Sequence, residues 1–402
     1  MNLPAISGAS EKSPAGSQPH VTFLDHLRGL AIFLVYLQHS GMRAFGSGGL
    51  GMRSPSDLHS SLFDLAMILP SMGHVGVAIF FVVSGFCIHL SHVKSRERGY
   101  KNFFGRRFFR LYPAYAIALV LSAFVIPPFL PLLASPAPAL NFASHLLLLH
   151  NLFPQFAYTV DGPCWTIGVE VQLYLLYPLL LAIVNRLGWR NALILVFAVE
   201  AVSVNSPSIF FHFHAMGLIS YMTLTPFYYW FSWSIGAKVA DDWMGGRPIF
   251  LARFPLWIWP LFFAVTFTGV SALLGRFNFT FAALATATLT AFLLSHGSVV
   301  ASLPRIPFAE HFRKVGLVSY SAYLFHEPCL GQFLQAFRRL FPILSTSHFA
   351  TFLFCLLTWP LVVGVAWISY RLIELPGIAL GKRLLRRNRP GNGNATLRPT
   401  ES

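Results

Sequence analysis

Ionisable side chains inside apolar stretches are the first candidates for chemistry, because a charge at membrane depth is costly and marks function by default. The segment Leu24-Asp25-His26-Leu27-Arg28-Gly29-Leu30-Ala31 runs on through apolar residues to Gln38-His39. Arg28 and His39 stand eleven residues apart, which on a helix puts them within roughly 20° of one face and about 16 Å apart along the axis. The plainer reading is an arginine reaching the headgroups and a histidine at the outer interface. A second pair, Arg107 and Arg110, closes Phe103-Phe104-Gly105-Arg106-Arg107-Phe108-Phe109-Arg110. Three residues apart, they are helical neighbours, and two guanidiniums so placed could fork onto the phosphates of a nucleotide-bearing cofactor. Their plainer role is as part of a cluster of topology signals.

Acidic and hydroxylic candidates follow. Trp165-Thr166-Ile167-Gly168-Val169-Glu170 opens a helix after the turn Asp161-Gly162-Pro163, and Glu170, Tyr174 and Tyr177 share its face. Glu170 has no basic neighbour in sequence, so its partner must come from another helix, and His39 lies at similar depth. Ser84, in Phe80-Phe81-Val82-Val83-Ser84-Gly85-Phe86, is outside any GxSxG elbow. Small residues there suit close helix packing better than a nucleophile. The stretch Gly316-Leu317-Val318-Ser319-Tyr320-Ser321-Ala322-Tyr323-Leu324-Phe325-His326-Glu327-Pro328 adds Ser319, Tyr323 and His326, with Pro328 expected to kink the helix. The four cysteines show neither CxxC nor Cys/His spacing, so no disulfide framework or zinc site is expected.

These residues need a membrane frame. The 402 residues are 55% hydrophobic and only 11% charged, with a mean hydropathy of +0.60, against about 25% charged residues in soluble domains. Forty Phe and nine Trp suit lipid-facing and interfacial surfaces. The net charge of +15 does not point to nucleic acid, because the basic residues flank apolar spans rather than forming one face. Apolar runs of spanning length predict an all-α, polytopic protein of about ten helices, near 24–43, 73–93, 111–130, 165–185, 191–207, 224–240, 255–274, 278–296, 315–336 and 350–372. Residues 131–164 read as one external loop with an interfacial or re-entrant piece.

Orientation follows from Lys and Arg. Lys94, Arg96, Arg98, Lys101, Arg106, Arg107 and Arg110 place the connection after the second span in the cytoplasm. Both termini are then cytoplasmic, and only Arg43, Arg53, Arg276, Arg338 and Arg339 of 29 basic residues face outward. An eleventh span at 143–156 would send Lys382, Arg383, Arg386, Arg387 and Arg389 outside, which favours ten. The polar residues 1–20 read as a disordered cytoplasmic tail rather than a cleavable signal. Residues 21–385 form the membrane domain and 386–402 a basic, disordered tail, with the amphipathic stretch after Pro376 lying on the anionic inner leaflet.

Taken together, the segments resemble the acyltransferase-3 family of integral membrane acyltransferases, the group that modifies O-antigen, peptidoglycan, exopolysaccharide and some macrolides. The resemblance covers roughly residues 21–385. It rests on LDxLRGxA with Arg28-x10-His39, the GVxxFFVxSGF block, the Arg107/Arg110 pair, WTxxxExxxYxxxP from Trp165 to Pro178, GxxSYxxYLxHxP, and the terminal ExP at Glu374. One departure is Leu173, where the family commonly has Phe. The resemblance implies that the two arginine–histidine and arginine–arginine signatures are functional. It also implies that the donor is acyl-CoA, usually acetyl-CoA, presented from the cytoplasm across the bacterial inner membrane.

On that basis Arg28, Arg107 and Arg110 would hold the cofactor's phosphates. His39 would be general base on an acceptor hydroxyl, with Glu170 orienting the imidazole, a role that suits a neutral imidazole near pH 7. A covalent acyl-enzyme on His39, or on a Ser or Tyr, is equally compatible. No metal is expected. The acceptor would be a carbohydrate or glycosylated molecule, served by membrane helices alone, although some relatives carry a fused extracytoplasmic domain. A transporter or flippase of a lipid-linked saccharide is the competing class. It lacks support from paired broken helices in corresponding halves.

Overall fold

The computed structural model describes residues 21–46, 68–94, 99–125, 137–212, 224–267 and 275–387. The expected tails at 1–20 and 388–402, Arg53, Arg96, Arg98, loop residues 131–136, and the span ends at 126–130 and 268–274 lie outside these. Among the described residues there is no strand. The described α-helices of nine or more residues are α1 (Phe23–Phe45), α2 (Gly73–Lys94), α3 (Tyr100–Val120), α4 (Pro138–Leu146), α5 (Trp165–His212), α6 (Trp230–Met244), α7 (Ile258–Phe267), α8 (Asn278–Ser295), α9 (Ala309–Leu317), α10 (Ser319–Leu340), α11 (His348–Leu357), α12 (Trp359–Ser369) and α13 (Leu375–Arg387). Each expected span overlaps helix, but that at 315–336 runs across α9 and α10 and that at 350–372 across α11 and α12. Among the described residues, four stretches are by themselves long and apolar enough to cross a membrane: Gly73–Lys94, Gly162–Ser206, Asn278–Ser295 and His348–Leu385. This is a multi-pass membrane protein.

Local sequence explains the boundaries. α1 carries Asp25 in its first turn and Arg43 in its last, the arrangement the helix dipole favours. α5 is two helices joined at Gly188, whose φ of 75° and ψ of 163° suit glycine. The expected loop between the fourth and fifth spans is therefore one residue. Pro328 sits within α10, which continues as helix to Leu340.

Glycines set how closely the helices approach. α1 packs most extensively on α2 and α9, and α2 on α6. A methyl at Gly316 would meet the Asp25 carbonyl, and one at Gly29 the Phe312 carbonyl, so α1 and α9 touch backbone to backbone. Gly85 lies likewise on the Trp233 carbonyl, and Gly236 on that of Val82. That contact is a reason for the small residues around Ser84. Gly236→Ala should therefore destabilise the fold by about 1–3 kcal/mol, the usual cost of overpacking. Thermal unfolding in detergent would read this as a lower apparent Tm, and an unchanged Tm would contradict the close α2–α6 packing.

Two surface expectations gain detail. The loop before α5 is pinned rather than loose: Tyr112 and Tyr115 hydroxyls donate to the carbonyls of Leu146 and His145 at 3.0 and 2.9 Å. Asn151 and Gln172 exchange amide hydrogen bonds of 3.1 and 2.8 Å. The amphipathic stretch expected on the inner leaflet, α13, packs against α3 through Gly377 and Gly381, which abut Phe109.

Candidate active site

Five helices enclose the space where the arginines meet. A cavity of about 210 Å³ is bounded by α1, α2, α3, α5 and α10, and its wall includes Arg28, Arg106, Arg107 and Arg110. Ser84, Glu170, Tyr174, Ser319 and Tyr323 line the same space. Thus eight residues picked out by type and spacing meet in one cavity, contributed by helices far apart in the chain. A second cavity, about 600 Å³, shares Arg28, Arg106, Arg110, Ser319 and Tyr320 with the first and adds Glu374 and Lys382. The two are continuous, and α13 walls the wider one.

The arginines are held differently. Arg28 Nη1 donates to Asp25 Oδ1 at 2.9 Å, and Nη2 to Cys87 Sγ at 3.1 Å. Arg107 donates to the Phe103 carbonyl at 2.7 Å, with its guanidinium 3.6 Å from the centre of the Phe103 ring. Such stacking and tethering fix a planar fork in place. Arg110 is exposed at the cavity. The concentration of positive charge suits a polyanion such as a nucleotide phosphate.

Glu170 does not join His39. Ser84 Oγ donates to Glu170 Oε1 at 2.7 Å, Tyr174 OH donates to the same oxygen, and Trp233 Nε1 donates to Ser84 Oγ at 3.3 Å. This knot ties α2, α5 and α6 together in the cavity wall. The partner of His39 is Glu327: His39 Nδ1 lies 3.2 Å from Glu327 Oε2, and Arg43 pairs with the other carboxylate oxygen. The expected His39–Glu170 pairing is therefore replaced by His39–Glu327. Depth alone had suggested Glu170; the rotation of α5 turns its carboxylate toward α2.

His326 completes the cluster. Its ring stands 5.0 Å from that of His39, centre to centre, and 5.5 Å from that of Tyr323. His326 is fully buried, with Nδ1 2.7 Å from the Tyr323 carbonyl. That contact makes Nδ1 the protonated nitrogen and leaves Nε2 as a lone pair. His39, His326 and Glu327 offer atoms within 4.8 Å of one another, a spacing a metal ion could use. The Arg43 guanidinium already compensates the carboxylate, which favours proton transfer over cation binding at this cluster.

Tyr323 stands between the cavity and the cluster. It lines the cavity, its hydroxyl receives a hydrogen bond of 2.7 Å from Thr166, and its ring adjoins His326. Asp161 stands just before the Gly162–Ser206 stretch, and Cys164 Sγ donates to its Oδ2 at 3.3 Å. Burial pushes the Asp161 carboxyl up to about 7, and the charge of Glu327 acts in the same direction.

The sequence reading had missed Glu327, Arg43, Arg106 and Cys87 as site residues. Glu327 was signalled by adjacency to His326 at membrane depth, and Arg43 by its i, i+4 relation to His39. The terminal Glu374 is a structural anchor as well as a cavity residue: Ser321 Oγ donates to its carboxylate and lies 2.9 Å from Ser369 Oγ.

Comparison with known proteins decides the family. The acyltransferase-3 family model, described as an acyltransferase domain, matches residues 21–371. The chain belongs to this family. Nodulation protein 10 of Rhizobium leguminosarum bv. viciae is 27% identical over 347 residues, 81% of this chain and 86% of that protein. Regulator of hypoxia-inducible factor 1 of Caenorhabditis elegans is 27% identical over 194 residues, 45% of this chain and 38% of that protein. Peptidoglycan O-acetyltransferase OatA of Listeria monocytogenes is 27% identical over 180 residues, 42% of this chain and 25% of that protein. The chain thus spans most of the first relative but well under half of the other two. No solved structure matches it.

Proposed function

We propose that this acyltransferase moves an acyl group from a cytoplasmic acyl-CoA to a hydroxyl of a carbohydrate or glycosylated acceptor at a bacterial inner membrane. In this reading ten helices cross the bilayer with both termini in the cytoplasm. The observation that carries the proposal is the four-arginine cavity ending at Tyr323, with the His39–Glu327 pair beyond it. Arg28, Arg106, Arg107 and Arg110 would bind the donor's phosphates, and Ser84, Glu170, Tyr174 and Ser319 would line the path of its pantetheine arm. His39, with Nδ1 toward Glu327, offers Nε2 as the base. It takes the proton of the acceptor hydroxyl as that oxygen attacks the thioester carbonyl. The carbon–sulfur bond then breaks, and the departing thiolate takes the proton back from His39. A carbohydrate acceptor is supported by the peptidoglycan O-acetyltransferase among the chain's relatives.

Membranes containing the chain, given acetyl-labelled acetyl-CoA and endogenous glycans, should transfer label into a hydroxylamine-labile ester. Profiling the polysaccharide and glycolipid fractions would locate it. Labelling no greater than in membranes lacking the chain would overturn the reading.

A further inference from the structure

Beside the arginine-lined cavity lies a separate one of about 240 Å³, between α3 and α5. Apart from Arg107 at the junction and tyrosine hydroxyls, its wall is aliphatic and aromatic: Phe108, Tyr112, Tyr115, Leu148, Val171 and Leu175 bound its outer part. Arg107, Leu111, Ile167, Tyr174 and Tyr320 line both spaces. The side cavity is thus divided from the main one by single side chains. It carries none of the groups that suit a phosphate or an amide except Arg107. At the shared wall Ile167 neighbours Thr166 in sequence, and the Thr166 hydroxyl is bonded to Tyr323 beside His326. An acyl chain held with its carbonyl near this end of the main cavity has an apolar space within reach.

We propose that this side cavity receives the aliphatic tail of donors longer than acetyl, so that the chain binds medium-length acyl-CoAs more tightly than acetyl-CoA. The inference rests on the reading that the arginine-lined cavity holds acyl-CoA. The five side chains that the side cavity shares with it, Arg107 among them, favour the donor's own chain as occupant over a bilayer lipid. Both α3 and α5 contribute helically spaced apolar positions, 108, 111, 112 and 115 on one and 167, 171 and 175 on the other. Val171 lines only the side cavity, so enlarging it fills that space away from Arg28, Arg106 and Arg110, which do not line it.

The test uses the full chain in lipid nanodiscs without acceptor, with empty nanodiscs correcting for partitioning. Calorimetry gives Kd for CoA, acetyl-CoA, butanoyl-CoA and hexanoyl-CoA. Full burial of a methylene corresponds to about fourfold in affinity, so hexanoyl-CoA should bind at least about tenfold tighter than acetyl-CoA. Val171→Trp should flatten this dependence while leaving the Kd of CoA itself unchanged, and Val171→Phe should reduce it if the larger change fails to fold. Equal affinity for acetyl- and hexanoyl-CoA in the unaltered chain overturns the side-cavity assignment alone. So does a chain-length gain that persists in a folded Val171 variant, because the tail then lies elsewhere. Failure of CoA to bind at all overturns both this inference and the donor reading on which it rests.

Discussion

His39→Ala is expected to lower kcat for acyl transfer by about 10²–10⁴-fold, the range a general base contributes, with the apparent KM for donor little changed. His39 is partly exposed at the junction of α1 and α10, and its Nδ1 lies beside Glu327. Removing it leaves the arginine cavity intact, since His39 is not part of that wall. Glu327→Gln keeps the side chain's size but removes the charge facing Nδ1. It should cost about a hundredfold or more in kcat, because an amide neither fixes the tautomer nor stabilises the imidazolium that forms. Glu170→Gln alters the Ser84–Tyr174 knot instead, so its effect should appear in donor KM. Kinetics in nanodiscs with donor and acceptor varied separately would separate the three. A loss below tenfold in folded His39→Ala, or a larger kcat loss for Glu170→Gln than for Glu327→Gln, would refute the base and its partner.

The contrast between Glu170 and Glu327 shows what was legible in the sequence. Hydrophobic runs show where helices lie but not their ends: the expected span at 111–130 belongs to a helix that begins at Tyr100, and that at 315–336 covers the break between α9 and α10. The arginines were legible because a guanidinium in an apolar segment has few tolerated positions. Arg28, Arg107 and Arg110 do meet, although α1 and α3 are separated by the whole of α2. Pairing across helices was not legible. Whether Glu170 or Glu327 faces His39 depends on the rotation of α5 and α10, set by contacts such as Gly316 on Asp25 and Thr166 on Tyr323. Periodicity identifies the residues on one helix face, but which neighbour that face meets is decided by packing. Arg43 illustrates a different miss. Its spacing from His39 placed both on one face, yet its position near the helix end made a topology role sufficient, and only the fold puts Glu327 against it. Gly188 was likewise visible as a glycine between basic residues, but its positive φ is what turns two spans into one continuous pair of helices.

Arg110→Lys should raise the apparent KM for acyl-CoA by about ten- to a hundredfold and leave that for the acceptor little changed. Hydrogen bonds to charged groups contribute about 1.5–3 kcal/mol, and a lysine keeps the charge while losing the planar fork. Insertion should survive, because the positive charge ahead of the apolar half of α3 is retained. Arg110 is the suitable arginine for this test. It lines both the narrow and the wide cavity and is exposed between them. Arg107, by contrast, is tethered to the Phe103 carbonyl and stacked on its ring, so replacing it also disturbs the helix start. Arg28 is paired with the buried Asp25, so replacing it also breaks that ion pair. The effect at Arg110 is therefore the one least mixed with structural change. Binding of CoA alone, measured by calorimetry, should weaken by the same factor as the KM rises, since the contact is to phosphate and is made before chemistry. A donor KM and CoA affinity both unchanged in folded Arg110→Lys would return Arg110 to the role of a topology signal and leave the phosphates to the other arginines.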